Sequence, residues 1–357
     1  MDRKFTRPVN VGGTIIGGGE RISIQSMTNT DTHDAISTIK QIRELRSAGC
    51  DIVRLAVSDL EAAESIKTIK NEIPDVPLVA DIHFDWRIAV KCAEYGIDKI
   101  RINPGNIGDE DKVRLVCDAC KLRNIPIRIG VNSGSLEKKY LEKYGSPTPE
   151  ALFESAMGHV EILHRYDFDD IVISVKSSTV TSAVEACRYV STHCDYPLHI
   201  GVTEAGSSRM GIIKNAAAMG TLICEGIGDT VRVSLTEDPV LEVKAAKDIL
   251  RSLHCPGHSG MDIVSCPTCG RTKIDLVNLV KKFEKAAADN CLCDLPIKVA
   301  LMGCIVNGPG EAREADVGIA GGKGEALLFA HGETVKKVAE EDVIDELVKY
   351  IKKNFIK

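Results

Sequence analysis

One alternation dominates the sequence between residue 22 and about residue 250: a short β-branched, apolar run is followed each time by a longer segment with helical periodicity. The pattern occurs eight times. The strand-like runs are ISIQSMT from Ile22, IVRLAV from Ile52, PLVADIH from Pro77, KIRINP from Lys99, IPIRIGVN from Ile125, DIVISVK from Asp170, LHIGVT from Leu198 and DTVRVSL from Asp229. Strands that alternate with helices pair in parallel through right-handed crossovers. Eight such units favour a closed (β/α)8 TIM barrel over an open doubly wound sheet.

Local signals support these elements. The first helical segment ends at Gly49, a residue typical of the position after a helix. Ser58-Asp-Leu-Glu61 predicts a capping box led by Ser58, and Thr148 before Pro149 predicts another helix start. The glycine-punctuated segment PVNVGGTIIGGG, near the beginning of the chain, predicts a hairpin that plugs the bottom of the barrel.

The chain has 357 residues, which is more than one hydrophobic core usually supports. Helix-breaking residues in LHCPGHSGMD indicate a linker at 253–262 that acts as a hinge. We therefore expect a barrel over residues 1–252 and a small α+β domain over residues 263–357. In the small domain the patterns predict helices at 275–288 and 341–355 and strands near 297–302, 316–320 and 326–331.

Composition narrows the class of protein. The net charge of -6 argues against a general nucleic-acid binder, and no apolar run has the length of a membrane span. The thirteen cysteines are odd in number, and several stand singly in apolar segments, so we do not expect a disulfide framework. These features predict a soluble cytoplasmic protein.

Five of the predicted strands carry a basic residue among apolar neighbours: Arg54, Arg101, Arg128, Lys176 and Arg232. Burying such a charge without a partner costs several kcal/mol, so five of them need anions. Internal pairing is an alternative for any single one, and the candidate partners are Asp81, Glu204, Glu225 and Asp229. For all five together we favour a polyanionic ligand, since the planar arginine fork suits phosphate oxygens.

Loops at the carboxyl ends of barrel strands carry active sites. TEAGSS from Thr203 and the nearby GIGDT from Gly226 are glycine-containing segments of the kind that holds phosphate. Polar residues in such positions are Asp81, His83, Asn103, Asn132, Glu204 and Ser234. Glu204 is a candidate proton donor, with an arginine ion pair as the alternative. We expect His199 to be a satisfied core histidine.

A second site is predicted around three cysteines. Cys266-Pro-Thr-Cys269 places two thiols in one turn, and Cys304 precedes the turn-forming sequence NGPG. The candidates for a fourth metal ligand are Cys255, His258, Cys291, Cys293 and Glu311. Structural zinc usually takes paired knuckles, and Cys304 has no CxxC partner, so an iron–sulfur cluster is favoured over zinc. Cys117 and Cys120 are predicted to pack inside a helix.

Taken together, these segments resemble the 4-hydroxy-3-methylbut-2-enyl diphosphate synthase family of the methylerythritol phosphate route to isoprenoids, in its two-domain bacterial form. The similar segments span nearly the whole chain: SIQSMTNTDT, VRLAV, ADIHF, RINPGN, IRIGVNSGSLE, SVKSS, LHIGVTEAG, GIGDTVRVSLT, SCPTCGR and GCIVNGPGEA.

The resemblance implies a [4Fe-4S] cluster held by Cys266, Cys269 and Cys304, with Glu311 as an unusual fourth ligand. An oxygen ligand binds a cluster iron less firmly than a thiolate does, so Glu311 could yield its position to substrate. The implied reaction is the two-electron reductive ring opening of 2-C-methyl-D-erythritol 2,4-cyclodiphosphate to 4-hydroxy-3-methylbut-2-enyl diphosphate and water. The implied electron donor is reduced ferredoxin or flavodoxin.

The resemblance also assigns the barrel residues. Glu204 and Glu311 would be catalytic, with Glu204 donating a proton. The residues implied in substrate binding are Arg54, Asp81, Arg101, Asn103, Arg128, Asn132, Lys176, Glu204 and Ser234.

The direction of the last barrel helix bears on how the two predicted domains are combined. The eighth barrel helix runs back from the mouth, so the chain should leave the barrel at the opposite face. We therefore expect a head-to-tail homodimer in which the cluster domain of one chain caps the barrel of the other, as the resemblance also implies. Two rival hypotheses are a phosphate-binding barrel synthase with a structural zinc domain and a non-enzymatic iron or redox sensor.

Overall fold

A computed structural model describes residues 2–103, 106–304 and 314–356 of the chain. The predicted ligand Glu311 lies outside these ranges. The chain divides into two compact units between Gly257 and His258, within the segment that the sequence predicts as the linker. In the described part, no helix is long and apolar enough to cross a membrane.

The first unit contains the predicted parallel strands, preceded by a short hairpin. The hairpin strands are β1 (Val9–Val11) and β2 (Thr14–Ile16). The eight parallel strands are β3 (Ser23–Met27), β4 (Ile52–Ala56), β5 (Leu78–Asp81), β6 (Lys99–Ile102), β7 (Ile127–Asn132), β8 (Ile171–Lys176), β9 (His199–Ile200) and β10 (Thr230–Val231).

These eight strands form a TIM barrel, which confirms the predicted fold class. Their order in the sheet is β8-β7-β6-β5-β4-β3-β10-β9, and a parallel bridge between Ile173 and Leu198 joins its two ends. Side chains alternate between the two faces of each strand. In β8, for example, Ile173 packs in the large core around the barrel, whereas Val172 belongs to a small separate cluster inside it.

Helices surround the barrel and return the chain from its mouth to its base. They are α1 (Ala35–Ala48), α2 (Leu60–Glu72), α3 (Trp86–Glu94), α4 (Glu110–Lys121), α5 (Lys138–Tyr144), α6 (Pro149–His164), α7 (Val180–His193), α8 (Ser208–Cys224) and α9 (Pro239–Ser252). Gly49 ends α1 in the left-handed conformation, with φ of 102°. Thr148 caps α6 as predicted.

The predicted capping box of α2 is wrong in one detail. Asp59, not Ser58, is the capping residue, and its carboxylate accepts a hydrogen bond from the Ala62 amide. A carboxylate is the stronger acceptor and favours the positive end of the helix dipole. The Ser58 hydroxyl instead donates to that same carboxylate at 2.9 Å.

The hairpin β1–β2 closes the amino end of the barrel. Its inward side chains form a fully apolar cluster with residues near the amino ends of three barrel strands. The members of this plug cluster are Val9, Val11, Ile16, Ile52, Val79 and Val172. Each is at most 2% exposed, so the barrel interior is sealed from below by hydrocarbon.

The second unit is a small α+β domain with one mixed sheet. The strands, in sheet order, are β11 (Asp262–Ser265), β12 (Lys298–Met302), β13 (Val317–Gly321), β14 (Glu325–Ala330) and β15 (Glu333–Ala339). The first three are parallel and the last two antiparallel. The helices are α10 (Leu276–Asp289) and α11 (Val343–Phe355). The sequence patterns missed β11 and β15, because both are edge strands and β15 is largely exposed.

The plug makes a prediction about stability. Ile16→Ala should lower the free energy of unfolding of the barrel by about 2–5 kcal/mol, because it leaves a cavity in a closed apolar cluster. Ile15→Ala is the matched control, since Ile15 lies on the same strand outside that cluster. Urea denaturation followed by circular dichroism measures both. Equal losses in the two variants would contradict the plug as a specific packing unit.

Candidate active site

The five basic strand residues meet in one pocket at the carboxyl end of the barrel. The pocket has a volume of about 120 Å³. Its lining residues are Arg54, Asp81, His83, Arg101, Arg128, Gly130, Asn132, Ser174, Lys176, Thr203, Arg232 and Ser234. The cause is strand periodicity, since these residues sit at inward positions of their strands or in the loops that follow.

Asp81 holds two of the arginines. Its carboxylate lies 3.1 Å from the Arg54 guanidinium and 3.2 Å from that of Arg101. Burial alone would raise the pKa of Asp81, but the charges of Arg54 and Arg101 hold it below its usual value. Asp81 is therefore an anion that orients both forks. Arg101 also donates to the Gly130 carbonyl oxygen at 3.2 Å.

Arg232 has a partner that the sequence analysis did not consider. Its guanidinium lies 3.4 Å from the carboxylate of Glu242, a buried residue of α9. Glu242 also accepts hydrogen bonds from the Ser26 hydroxyl at 2.9 Å and the Leu235 amide at 3.0 Å. A helix residue ten positions away cannot be assigned to this arginine from strand patterns alone.

Of the four predicted internal partners, only Asp81 pairs with any of the five basic residues in the described part of the chain. Glu225 pairs with Arg188 on the outside of the barrel, and Asp229 pairs with Arg3 at 2.9 Å. Both carboxylates precede β10, so they lie at the amino end of the barrel, away from the pocket. The GIGDT segment is misplaced for the same reason, because Gly226 accepts a hydrogen bond from the Lys4 amide at that end.

Arg128 and Lys176 have no carboxylate partner in the part of the chain that the structure describes. Arg128 is 2% exposed, and its Nε and Nη1 atoms make no hydrogen bond there. Lys176 is 7% exposed. Burial, together with the neighbouring arginine charges, lowers the pKa of both groups well below their usual values. The pocket therefore has uncompensated positive potential, which an anionic ligand would relieve.

Two residues with predicted roles lie outside the pocket lining. Asn103 follows β6, and its buried Oδ1 has no hydrogen-bond partner among the described residues. Glu204 is exposed in the loop after β9, next to the lining residue Thr203, and its φ of 52° is unusual for a residue other than glycine. The lining residues Gly130 and Ser174 were not predicted from the sequence, although each stands two residues from a predicted inward residue of its strand, Arg128 or Lys176. Thr203 begins the loop segment that was predicted to hold phosphate.

His199 departs from expectation. It is buried as predicted, at 1% exposure, but neither ring nitrogen has a hydrogen-bond partner in the described residues. It faces the barrel interior rather than the apolar core, because its neighbours Leu198 and Ile200 occupy the outward positions of β9. Thr230, its partner in the register of β10, is also buried with an unpartnered hydroxyl.

In the second unit, two of the three predicted cysteine ligands follow adjacent parallel strands. Cys266 comes directly after β11 and Cys304 shortly after β12, where Ser265 and Leu301 are in register. The Gly303 amide donates to the Cys266 sulfur at 3.3 Å. The loop that carries Cys269 is tied to the same place, since the Lys273 amide donates to the Gly303 carbonyl oxygen at 2.9 Å.

Cys269 is exposed, and its thiol has the properties of a metal ligand. A hydrogen bond from the Arg271 amide lowers the pKa of its thiol, which favours the thiolate that metals bind. In the described residues, no three His, Cys, Asp or Glu side chains are arranged closely enough to hold a metal ion. The donor set, three thiols at one sheet edge with an amide donating to sulfur, has the chemistry of a cluster site.

Several alternative fourth ligands lie at the opposite end of the same sheet. His258 precedes β11, and Cys291 and Cys293 precede β12; the Cys293 carbonyl oxygen accepts a bond from the Met261 amide. The length of a four-residue strand, about 13 Å, separates that end from Cys266. Cys255 belongs to the first unit. Cys117 and Cys120 are buried in the core as predicted.

The similarity to solved structures supports only the assignment of the barrel fold. A dihydropteroate synthase from Stenotrophomonas maltophilia aligns with a TM-score of 0.52 and 13% identity, covering 70% of this chain and 97% of that one. A type I 3-dehydroquinate dehydratase from Clostridium difficile aligns with a TM-score of 0.51 and 17% identity, over 70% of this chain and 98% of that one. At such identities the likeness shows the fold alone.

Comparison with sequences is far more specific. Proteins named 4-hydroxy-3-methylbut-2-en-1-yl diphosphate synthase (flavodoxin) are 60% identical in Clostridium perfringens and 54% identical in Clostridium tetani. The first alignment covers 98% of this chain and 99% of its relative, and the second 99% of each. Residues 6–247 match the GcpE TIM-barrel domain, and residues 262–353 match the GcpE protein C-terminal domain. The chain therefore belongs to the GcpE family.

Proposed function

We propose that the chain is a cytoplasmic 4-hydroxy-3-methylbut-2-enyl diphosphate synthase that opens the ring of 2-C-methyl-D-erythritol 2,4-cyclodiphosphate by reduction. The reaction breaks the ring bond between one carbon and a phosphate oxygen, takes up two electrons and two protons, and releases one hydroxyl group of the substrate as water. The relatives that are 60% and 54% identical carry this enzyme's name. The electron donor is proposed to be flavodoxin, which those names include, with ferredoxin as the alternative.

The observation that carries the substrate assignment is the uncompensated charge of Arg128 and Lys176. Both are buried, and no described carboxylate pairs with either. The two phosphates of a cyclodiphosphate supply the missing anions. Asp81 and Glu242 fix the forks of the other three arginines, so those forks are oriented before the ligand arrives.

The neutral polar residues have narrower proposed roles. Asn132 and Ser234 line the pocket and can donate hydrogen bonds to phosphate oxygens. We assign Asn103 the same role through its side-chain N–H groups, because it directly follows a strand that ends at the pocket. Glu204 is proposed as the proton donor, since it lies next to Thr203 in the loop at the pocket edge.

Cys266, Cys269 and Cys304 are proposed to hold a [4Fe-4S] cluster, with Glu311 as fourth ligand. The cluster would supply electrons singly to the substrate carbon, which no side chain of the protein can do. The Gly303 amide, which donates to the Cys266 sulfur, would stabilise the reduced state by hydrogen bonding. A dimer is proposed to bring the cluster of one chain to the barrel of the other.

The end of the barrel unit supports this two-chain site. Gly257 lies against the side chain of Arg21, which precedes β3 at the amino end of the barrel. The pocket opens at the carboxyl end of the same barrel, which is roughly 20 Å tall. The barrel unit therefore ends on the face opposite its own pocket, which favours a cluster domain supplied by a second copy.

The phosphate assignment is tested with Arg128→Ala and Lys176→Met. Each should reduce kcat/KM for the cyclodiphosphate about 10- to 100-fold or more, because each removes a buried charge contact to phosphate. Iron content and the visible spectrum should be unchanged. Arg188→Ala, which removes an exposed arginine paired with Glu225, is the control and should retain activity. Full activity in Arg128→Ala would exclude this pocket as the substrate site.

The cofactor is tested by anaerobic purification and metal analysis. The unaltered protein should be brown and contain iron and sulfide, whereas Cys269→Ser should lose most of both, because a thiolate ligand is removed. Cys291→Ser is the matched control: Cys291 is also exposed but lies at the other end of the sheet. A colourless protein with one bound zinc would support the rival synthase with a structural zinc domain instead.

The two-chain site is tested by co-expressing two strongly impaired variants, Arg128→Ala and Cys269→Ser, and comparing the mixture with the residual activity of each variant alone. Random pairing makes half of the dimers mixed, and each mixed dimer has one intact barrel facing one intact cluster domain. Activity should therefore return to about a quarter of that of the unaltered protein. If each site is built from one chain, the mixture shows only that residual activity.

A further inference from the structure

A layer of polar side chains lies inside the barrel between the apolar plug and the cationic pocket. Its members are each at most 2% exposed, and each has side-chain atoms without a hydrogen-bond partner among the described residues: Ser23, Gln25, Lys99, Arg128, His199 and Thr230. Their inward direction follows from strand alternation, because adjacent residues such as Ile24, Ile100, Ile129 and Val231 pack in the outer core. Only Arg128 of this layer also lines the pocket.

Lys99 is the least expected member. It is fully buried in β6 beside Val79, which packs on the plug, so its long side chain has no route to solvent on that side. Its Nζ makes no hydrogen bond or ion pair within the described ranges. The function proposed above gives it no role.

The charged and titratable groups that act on Lys99 electrostatically are basic: Arg54 of β4, Arg128 of β7 and His199 of β9. Asp81 is the one carboxylate among the described residues that line the pocket, and it is engaged by Arg54 and by Arg101 of the same strand as Lys99. Burial, followed by the charges of Arg128 and Arg54, lowers the pKa of Lys99 well below its usual value.

A ligand with two phosphates changes this balance. Its negative charge would offset Arg54 and Arg128, the same two cations that act on Lys99. In a low-dielectric interior such a change acts strongly over a few ångströms. An ammonium at Lys99 is disfavoured in the empty barrel and becomes favourable once the pocket holds an anion.

We propose that Lys99 is a proton-binding site coupled to the pocket: its neutral amine takes one proton from solvent when a diphosphate ligand binds, and the resulting ammonium reinforces Arg128 from below. The step forms one N–H bond, and no electron is transferred. It rests on the proposed function, because it requires an anionic ligand in this pocket. It explains why a lysine is retained in a sealed interior where no carboxylate meets it.

The sign of the pH dependence follows. The bound state holds more protons than the free state, so affinity rises as pH falls and weakens as pH rises through the range between the two Lys99 pKa values. One linked proton changes the dissociation constant by up to about tenfold for each pH unit. Each phosphate of a cyclic diphosphate has only a strongly acidic ionisation, so the ligand itself contributes no proton change near neutrality.

The test is isothermal titration calorimetry on the anaerobic holoprotein, with the cyclodiphosphate as ligand and no reductant present. Binding is measured from about pH 6.5 to about pH 9, which lies between the reference pKa values of His and Lys, in two non-phosphate buffers of different ionisation enthalpy. Proton uptake per bound ligand should fall by most of one proton in Lys99→Met, and the pH dependence should flatten correspondingly. Lys99→Gln, which keeps a polar group, should behave in the same way.

Two controls separate the outcomes. Lys91→Met removes an exposed lysine paired with Glu94 and should retain the proton uptake of the unaltered protein, as should His199→Gln. Unchanged uptake in both Lys99 variants, or its loss in His199→Gln instead, overturns the inference while leaving the proposed function intact. If the unaltered holoprotein does not bind the cyclodiphosphate at all, the proposed function itself fails, and this inference fails with it.

Discussion

The structure depends on an imbalance of charge inside the barrel. Six basic side chains enter the interior, and in the described ranges only two carboxylates, Asp81 and Glu242, pair with any of them. Buried charges without partners cost several kcal/mol each, and a bound anion offsets that cost. The apolar plug closes the amino end of the barrel, so water cannot compensate the charge of the basic groups from that end. The pocket, its proposed ligand and the buried Lys99 all follow from this one constraint.

Much of this arrangement could be predicted from the sequence, because strand periodicity determines direction. A basic residue that alternates with β-branched neighbours must face inward when those neighbours pack against helices, and Arg54, Arg101 and Arg128 do so. The helix ends were also predictable where a single residue type decides them, as at Gly49 and Thr148. The exception at Asp59 arose because two adjacent side chains could both cap the same helix.

What could not be predicted were the particular side-chain contacts between different elements. Glu242 lies on a helix and forms an ion pair with Arg232, and no sequence pattern in either segment predicts this pair. Asp229 and Glu225 were misassigned because they precede a strand, and residues before and after a strand lie at opposite ends of a barrel. His199 shows a further limit. Its burial was predictable, but its proximity to the polar residues Gln25, Lys99 and Thr230 arises only when the eight strands close into a barrel.

The two units divide the chemistry according to what their sheets can provide. The barrel presents arginine forks at the ends of parallel strands, where the excess positive charge suits phosphate. The second unit presents sulfur at the ends of β11 and β12, where an amide can donate to it. Neither group alone accounts for a reductive ring opening, which requires a held anion and a source of single electrons.

The most direct test of this account is anaerobic turnover of 2-C-methyl-D-erythritol 2,4-cyclodiphosphate by the purified holoprotein with reduced flavodoxin, followed by identification of the product. The account predicts 4-hydroxy-3-methylbut-2-enyl diphosphate, formed with consumption of two electrons for each molecule of substrate. Recovery of unchanged cyclodiphosphate from an iron-loaded, reduced protein would contradict it.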